Sequence, residues 1–495
     1  MAAHGEYVVS RERFQTLALF CAIGFLWAGP WIVFAPLSDL AEARFDVGPA
    51  AINALASSFL FCYIPSSVLC LYVVDRFGVR VCLAASISVN TAVVFVRWLA
   101  LAAHGLSPHA QYAINMTAQA RGPTHRLPSA AQHTQPPRDA PLTHAPNAHP
   151  QLAAALCQAM AVNLPARIAG DWFPASERDV ATVVATMANV AGQMVFSLLP
   201  PLLVHTPEQL GLILLVQLPA CVLVTAASWT LLAERPPSPP SASAAQRWRE
   251  AKSSDAIATL LHDVRLLLAN GNFVLLASGF AIGTGTVWAV LILEGQFITP
   301  CGYSDAVAGA AGAALLGAGI VAAFGLGAVM EATKAYLQLQ RGVMAAAVLT
   351  TALALTTARP GSAALLLIAY CALGCALQPL NPLTLEHAAE MTFPLSPEVS
   401  SSVLYMFANT FAFALVFVLT PLLALPASAQ CTTVFTPAAA TILGCMAAGL
   451  AFTCAVRKDY RRSACEHRGD HDSQEAPLLS TAADGAYGTA AAHGD

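Results

Sequence analysis

The sequence predicts an all-α membrane protein with twelve transmembrane helices in two six-helix halves. Hydrophobic residues make up 57% of the 495 residues and charged residues only 11%, whereas about a quarter of the residues in soluble domains are charged. The hydrophobic residues occur in unbroken runs of about 20, which suits helices that cross a bilayer, rather than in the alternating segments of about 10 found in barrels. Six such runs lie on either side of a polar central segment, so the chain divides into two halves.

The first half, residues 14–233, follows a short polar N-terminus of residues 1–13 that we expect to be cytoplasmic. Its first hydrophobic run is too long for the core of a signal peptide and lacks a small-residue cleavage site, so we interpret it as a transmembrane helix. The six predicted helices of this half are Phe14 to Leu37, Ala51 to Val74, Val81 to Ala103, Gln151 to Phe173, Val180 to Val204 and Leu210 to Leu232.

A polar, Pro- and Ser-rich central loop, residues 234–271, is expected on the cytoplasmic side. Within it, Asp255 to Leu268 is predicted to form a short amphipathic helix lying on the membrane. The second half covers residues 272–456, and a disordered cytoplasmic tail of residues 457–495 is expected to follow. The six predicted helices of the second half are Phe273 to Phe297, Ala306 to Met330, Gly342 to Thr357, Ser362 to Leu385, Ser401 to Leu425 and Ala438 to Val456.

The distribution of Lys and Arg predicts the orientation in the membrane. The short loops on one side contain only Arg44 and Arg359, whereas the loops on the other side contain most of the remaining basic residues. Since basic loops stay in the cytoplasm, both termini are expected there. We expect a plasma-membrane protein, with an endomembrane as the alternative.

One loop, residues 104–150, is much longer than its neighbours and contains six of the thirteen histidines. We interpret it as a disordered extracellular or lumenal insertion, because it is polar and Pro-rich. Metal binding is the alternative, but the histidines lack the close spacing of a ligand set. The loop also contains the chain's only glycosylation sequon, at Asn115.

The thirteen cysteines are scattered and form no CxxC pair, which favours neither a metal site nor a disulfide framework. We therefore expect no metal and no cofactor. Only Cys301 and Cys431 fall in loops predicted to lie outside, and the sequence leaves open whether they are bonded.

The short turn between the second and third predicted helices carries Asp75, Arg76, Gly78 and Arg80. A turn glycine and opposite charges can clip two helix ends together, so we assign these residues a conformational role. The turn resembles the corresponding loop of the major facilitator superfamily, roughly G-x-x-x-D-R-x-G-R-R/K, although Leu71 stands at the first glycine position.

Two acidic residues lie one turn apart at the predicted cytoplasmic end of helix 10, Glu386 and Glu390. We interpret them as partners for loop arginines and assign them to the same gating group.

Two tryptophans lie at similar depth in helices that a pseudo-two-fold axis would relate, Trp31 in helix 1 and Trp288 in helix 7. Two aromatic faces can bind an ammonium group by cation–π attraction, worth about 2 kcal/mol or more when desolvated. The alternative is that both are packing or interface-belt residues.

Polar amides within the hydrophobic runs are the other candidates. Gln158, Asn189 and Asn409 could hydrogen-bond a substrate hydroxyl, or they could only tie helices together. Gln378 and Asn381 lie beside prolines in helix 10 and are expected to mark a broken helix. We predict a substrate site at Trp31, Gln158, Trp288 and Asn409, with Asn189, Gln378 and Asn381 as further cavity-lining residues.

Four stretches of the sequence carry a resemblance to a known family. They are LPARIAGDWFP (Leu164 to Pro174), ERDVATVVATMANVAG (Glu177 to Gly192), NFVLLASGFAIGTG (Asn272 to Gly285) and PLTLEHAAEMTFP (Pro382 to Pro394). They resemble the feline leukaemia virus subgroup C receptor-related transporters, solute carrier family 49, and the resemblance covers nearly all twelve helices. The second stretch is most similar to the branch known as major facilitator superfamily domain-containing protein 7.

The resemblance implies an alternating-access transporter associated with choline, ethanolamine or haem. In this family an aromatic residue of helix 1 and one of helix 7 face each other, with glutamines in helices 4 and 11. Trp31 and Gln158 match that pattern directly. Trp288 replaces a tyrosine and Asn409 replaces a glutamine.

A choline-like cation is favoured over haem, because no histidine lies in the core of any run and haem favours an axial ligand. Glu294 is the only acid placed to carry a proton, so a uniporter is favoured over a proton symporter. The alternative of a different class is a membrane receptor or sensor that binds without transport. No enzyme motif is present, and we expect a monomer in the lipid bilayer with a small-molecule substrate and no nucleic-acid partner.

Overall fold

The computed structural model describes residues 10–34, 37–47, 49–103, 105–116, 150–250, 256–357, 361–425 and 436–466. All regular elements within these ranges are helices. The first half contains α1 Glu12–Trp27, α2 Gly29–Ile32, α3 Ser38–Phe45, α4 Pro49–Ala102, α5 Pro108–Met116, α6 Pro150–Cys157, α7 Ala159–Val162, α8 Pro165–Trp172, α9 Arg178–Leu203 and α10 Leu210–Leu231.

Two shorter helices of the central loop connect the halves, α11 Ala242–Glu250 and α12 Ala256–Ala269. The central loop was predicted to hold one helix, and the structure adds α11. The second half contains α13 Gly271–Ile298, α14 Asp305–Thr333, α15 Tyr336–Thr357, α16 Ala363–Leu377, α17 Leu380–Met391, α18 Pro397–Leu423 and α19 Pro437–Ala455.

Twelve crossings follow from these helices. Ten stretches of the described residues are long and apolar enough to cross a membrane. One of them contains Gly78, whose non-helical backbone (φ 88°, ψ 171°) divides α4 into two crossings. The twelfth crossing consists of α6, α7 and α8, which are individually too short. The predicted all-α fold with twelve crossings is therefore confirmed.

Side-chain contacts show that the chain reverses at Gly78. Ser66, before the turn, accepts a hydrogen bond from the Ala159 backbone at 3.0 Å. Ser86, after the turn, donates to the Cys157 carbonyl at 3.5 Å. Because both parts of α4 meet the same place near the α6–α7 junction, they run in opposite directions. We call the end of the bundle that contains this turn the Gly78 end.

The burial of the crossings separates central from peripheral helices. In the most apolar window of the α13 span 72% of residues are buried, against 28% in the α10 span. Large apolar side chains point outward from peripheral helices, as with Leu223 on α10 and Val321 on α14. Such outward apolar surface suits a protein surrounded by lipid, because lipid tails are as apolar as these side chains.

Glycines permit close helix contacts within each half. A Cβ atom at Gly192 of α9 would lie 2.2 Å from the Phe25 carbonyl oxygen of α1. A Cβ atom at Gly374 of α16 would lie 1.9 Å from the Leu315 carbonyl oxygen of α14. Real side chains do not fit at such distances, so these positions require glycine for the helix backbones to touch.

The prediction of a disordered insertion over residues 104–150 is wrong for residues 108–116, which form α5. Apolar packing orders this helix, since the Tyr112 ring lies 5.7 Å from that of Phe45 on α3. Residues 117–149, with most of the histidines, lie outside the described residues.

The prediction that Asn115 carries a glycan is not supported either. Asn115 is fully buried, and its amide nitrogen, the atom that would bear the sugar, donates to the Gln111 carbonyl at 2.8 Å. Its amide oxygen accepts from the buried Arg97 guanidinium at 3.2 Å. A sequon can be glycosylated only where its asparagine is accessible.

Cys301 forms a disulfide bond. Cys431, the other cysteine predicted to lie outside, is not among the described residues.

Candidate functional site

A cavity lies between the two halves, next to the interruptions of the fourth and tenth crossings. It contains about 480 Å³ of empty space, part of which is open to solvent. Helices α1, α7, α8 and α9 line it from the first half, and α13, α17 and α18 line it from the second. The lining residues are Gly24, Ala161, Val162, Pro165, Ala185, Thr186, Asn189, Val190, Gln193, Trp288, Gln378, Asn381 and Tyr405.

One side of the cavity is aromatic. The rings of Trp288 on α13 and Tyr405 on α18 stack with their centroids 6.3 Å apart and their planes 20° from parallel. Phe280 packs edge-on against Tyr405 at 5.6 Å, and Tyr63 of α4 lies 6.1 Å from it. These contacts hold Tyr405 in place, so we call Trp288 and Tyr405 the aromatic wall.

The side of the cavity that the first half forms carries amides of α9. The Gln193 amide donates to the Asn189 side-chain oxygen at 2.8 Å, and the Asn189 amide donates to the Gly24 carbonyl of α1 at 2.8 Å. This chain of hydrogen bonds fixes both amides and leaves the Gln193 oxygen as an acceptor. We call Asn189 and Gln193 the amide pair.

The broken tenth crossing adds polar groups from the second half. Helix α16 ends at Leu377 and α17 begins at Leu380, with Gln378 and Pro379 between them. The Asn381 side-chain oxygen is buried and has no hydrogen-bond partner in the described part of the chain. An unpaired buried carbonyl is costly, so a ligand that donates a hydrogen bond here would stabilise the site.

Four of the predicted site residues line this cavity: Asn189, Trp288, Gln378 and Asn381. Thr186, Gln193 and Tyr405 also line the cavity and were not predicted from the sequence. Gln193 lies four residues after Asn189 on the same helix face, a spacing that could have indicated it. Tyr405 has a weaker signal, because a tyrosine in an apolar run is usually a packing residue.

The other three predicted residues are not among those that line the cavity. Trp31 lies seven residues after Gly24, on the same helix face. It is therefore about 10 Å of helix rise farther from the Gly78 end than Gly24 is. It is half-buried and packs against the apolar core. In this conformation Trp288 lines the cavity and Trp31 does not.

Gln158 and Asn409 lie beside the cavity. Gln158 occupies the junction between α6 and α7, and its side-chain oxygen is buried with no partner among the described residues. The Asn409 amide donates to the Tyr405 carbonyl at 2.8 Å, one turn earlier on α18. This bond within the helix fixes Asn409 next to the aromatic wall.

Ion pairs join the halves at the Gly78 end. Arg167 of α8 contacts Glu398 of α18 at 2.6 Å, and Lys334, which follows α14, contacts Asp179 of α9 at 2.8 Å. The Tyr336 hydroxyl also donates to Asp179 at 3.0 Å. We call the Arg167–Glu398 and Lys334–Asp179 pairs the inner gate. Both pairs of the inner gate lie at the Gly78 end and join the two halves there, so this conformation is closed at that end.

The Gly78 turn is held differently from the predicted clip. The Glu234 carboxylate accepts from the backbone N–H groups of Val79 and Arg80 at 2.9 and 2.8 Å. The Arg80 guanidinium donates to the Trp229 carbonyl at 2.7 Å. Asp75 and Arg76, in contrast, are exposed. Because helix-terminal N–H groups lack partners of their own, it is the Glu234 carboxylate that clips the turn.

Relatives with similar sequences share most of their length with this chain. It is 26% identical over 405 residues to "Solute carrier family 49 member A3" of Danio rerio, covering 81% of this chain and 77% of that protein. It is 25% identical to "Choline/ethanolamine transporter FLVCR1" of Felis catus, covering 92% of this chain and 75% of that protein.

Solved structures share the fold. The transporter FucP in the outward conformation superposes with a TM-score of 0.59 at 14% identity, covering 90% of this chain and all of FucP. The proton:xylose symporter XylE also reaches 0.59 at 14% identity, covering 93% of this chain and all of XylE.

The sequence signature of the Major Facilitator Superfamily matches residues 151–421, more than half of the 495 residues. This match includes every cavity-lining residue except Gly24, from Ala161 on α7 to Tyr405 on α18. The protein therefore belongs to the Major Facilitator Superfamily, whose members are membrane transporters and not enzymes.

Proposed function

We propose that this protein is a facilitative transporter of a small organic cation of the choline or ethanolamine class. The observation that carries the proposal is the composition of the cavity, which has the aromatic wall on the second half and the amide pair on the first half. Its lining residues include no charged side chain. Such a site suits a cation that is bound by ring faces rather than by a carboxylate.

The two ends of the substrate would use different sides of the cavity. The ammonium group would lie against the face of Trp288 that points away from Tyr405, because Tyr405 stacks against the other face. The hydroxyl group would donate to the unpaired oxygen of Asn381 or to that of Gln193. Trp31, on the outer side, would cover the ammonium group after entry, and Gln158 and Asn409 would join the site as the halves close around the substrate.

The named relatives support this substrate class, since several are called choline/ethanolamine transporters. Haem is the weaker alternative. The lining residues include no histidine, lysine or arginine to bind an iron or a propionate.

Transport would follow alternating access, in which the two halves rock about the central cavity. The inner gate would open while the opposite end closes. The proposed orientation places the Gly78 end in the cytoplasm and the protein in the plasma membrane, as the Lys and Arg distribution predicts.

Transport without a coupled proton is favoured, because no acid is among the described residues that line the cavity. Glu294, the acid singled out from the sequence, packs against Gly312 of α14, where an added Cβ would lie 2.5 Å from its carboxylate. It is not among the cavity-lining residues.

The test is uptake of labelled choline and ethanolamine into proteoliposomes that contain the purified protein. We expect saturable uptake whose direction reverses when the choline gradient is reversed. A proton gradient should not change its rate. Binding of choline without uptake would favour the receptor class. Uptake of neither compound, with haem binding instead, would overturn the proposed substrate.

A further inference from the structure

The segment after α19 folds back onto the Gly78 end of the bundle. It includes residues 456–466 and ends in a short helix over 461–466, so the prediction of a disordered tail is wrong for residues 457–466. Arg462 of this segment is fully buried. Its guanidinium contacts Glu386 at 2.8 Å and Glu390 at 3.4 Å, both on α17.

Arg462 compensates two buried carboxylates at once. Glu386 and Glu390 lie one turn apart, and their side chains are 0% and 1% exposed. Arg462 is the only cation that forms an ion pair with either of them in the described ranges. Without a cation, two neighbouring buried carboxylates would repel each other, and their charges would be stable only if water hydrated them. Withdrawal of Arg462 would therefore destabilise the dry packing at this end.

The same segment also reaches the first half. Glu466 accepts a hydrogen bond from Ser243 of α11 at 2.6 Å and contacts Arg178 of α9 at 3.4 Å. Burial alone would raise the pKa of Glu466, but Arg178 and Ser243 outweigh it and the pKa is lowered, so Glu466 is ionised at neutral pH. Glu386 in turn accepts from Thr182 of α9.

We propose that Arg462 is a gating residue of the transport cycle, which keeps the Gly78 end closed while it pairs with Glu386 and Glu390 and must leave them before that end opens. It acts on the gate and not on the substrate, so it is a positioning residue. The proposal rests on the alternating-access function proposed above, but not on the identity of the substrate.

The test measures the opening of the Gly78 end directly. Spin labels at the exposed positions Phe77, beside the turn, and Thr333, at the end of α14, report the distance between the halves. We expect one short distance in the otherwise unchanged protein. Arg462→Ala should raise the ratio of the long-distance to the short-distance population at least about tenfold, because one partner of a buried ion pair is lost.

Arg461→Ala is the matched control. Arg461 is the neighbouring arginine, but its side chain is 54% exposed and pairs only with Asp459. Its replacement should leave the distance distribution unchanged. Arg462→Lys keeps the positive charge but lacks the planar guanidinium group that can contact both carboxylates. It should give an intermediate ratio of long-distance to short-distance populations.

A rescue variant separates gating from a merely structural role. Adding Glu386→Gln and Glu390→Gln to Arg462→Ala removes the uncompensated carboxylates and should move the distribution back toward the closed state. Two results would overturn the proposal: a folded Arg462→Ala protein with the distribution of Arg461→Ala, or a triple variant as open as Arg462→Ala alone. If Arg462→Ala does not fold, the distance distributions of Arg462→Lys and of the triple variant still test the proposal. Neither measurement needs a substrate, so a failed choline assay would not affect this result.

Discussion

Replacement of Trp288 by alanine tests the aromatic wall most directly. Tyr405 stacks against one face of Trp288, with ring centroids 6.3 Å apart. The other face is the one that we propose for an ammonium group. The expected loss is therefore that of one cation–π contact, about 2 kcal/mol for a desolvated cation.

This free energy corresponds to about a 30-fold rise in the Kd for choline. The truncation also uncovers Tyr405, whose ring can recover part of the attraction from farther away. We therefore expect a rise of about 10- to 30-fold for Trp288→Ala. Trp288→Phe keeps a ring face with a weaker quadrupole, so it should raise the Kd for choline only about 3- to 5-fold.

The assay is equilibrium binding of labelled choline to purified protein at fixed ionic strength. Trp229→Ala is the control, because Trp229 is 45% exposed near the Gly78 end and bonds only Ser88 through its indole nitrogen. Choline binding that survives Trp288→Ala undiminished would refute the reasoning. Equal losses for alanine and phenylalanine would also refute it, since they would indicate packing rather than a ring-face contact.

Three further predictions follow from the fold. Gly192→Ala should prevent the contact with the Phe25 carbonyl and strongly reduce the folded fraction measured by size-exclusion chromatography, whereas Gly444→Ala, where nothing lies within 4 Å, should not. Removal of residues 117–149 should leave choline uptake within about twofold, since loops that connect helices need only a few residues; loss of uptake at normal surface expression would reveal a task for that segment. Treatment of protein from eukaryotic cells with a peptide N-glycosidase should not change its electrophoretic mobility, because Asn115 is buried against Arg97; a faster band would show that Asn115 is exposed during synthesis.

The positions of the crossings could be predicted from the sequence because bilayer thickness sets the length of an apolar run. The predicted run of Ala438 to Val456 and the observed helix Pro437–Ala455 differ by one residue at each end. The interruption at Gln378 and Asn381 was also visible, since the prolines beside them remove backbone donors and disfavour a continuous helix. These features depend on local composition, so they can be predicted without knowing which helices pack against each other.

By itself the sequence determined the all-helical membrane fold, its two halves and four residues that line the cavity, Asn189, Trp288, Gln378 and Asn381. Only the tertiary structure decided that Tyr405 and Gln193 join them and that Trp31 is not a lining residue, because position along a helix does not specify which neighbour a side chain meets. The same holds for Arg462, which is adjacent to the exposed Arg461 but fully buried. Two arginines in a polar tail are indistinguishable in composition, and only the long-range contact with α17 makes one of them part of the closed gate.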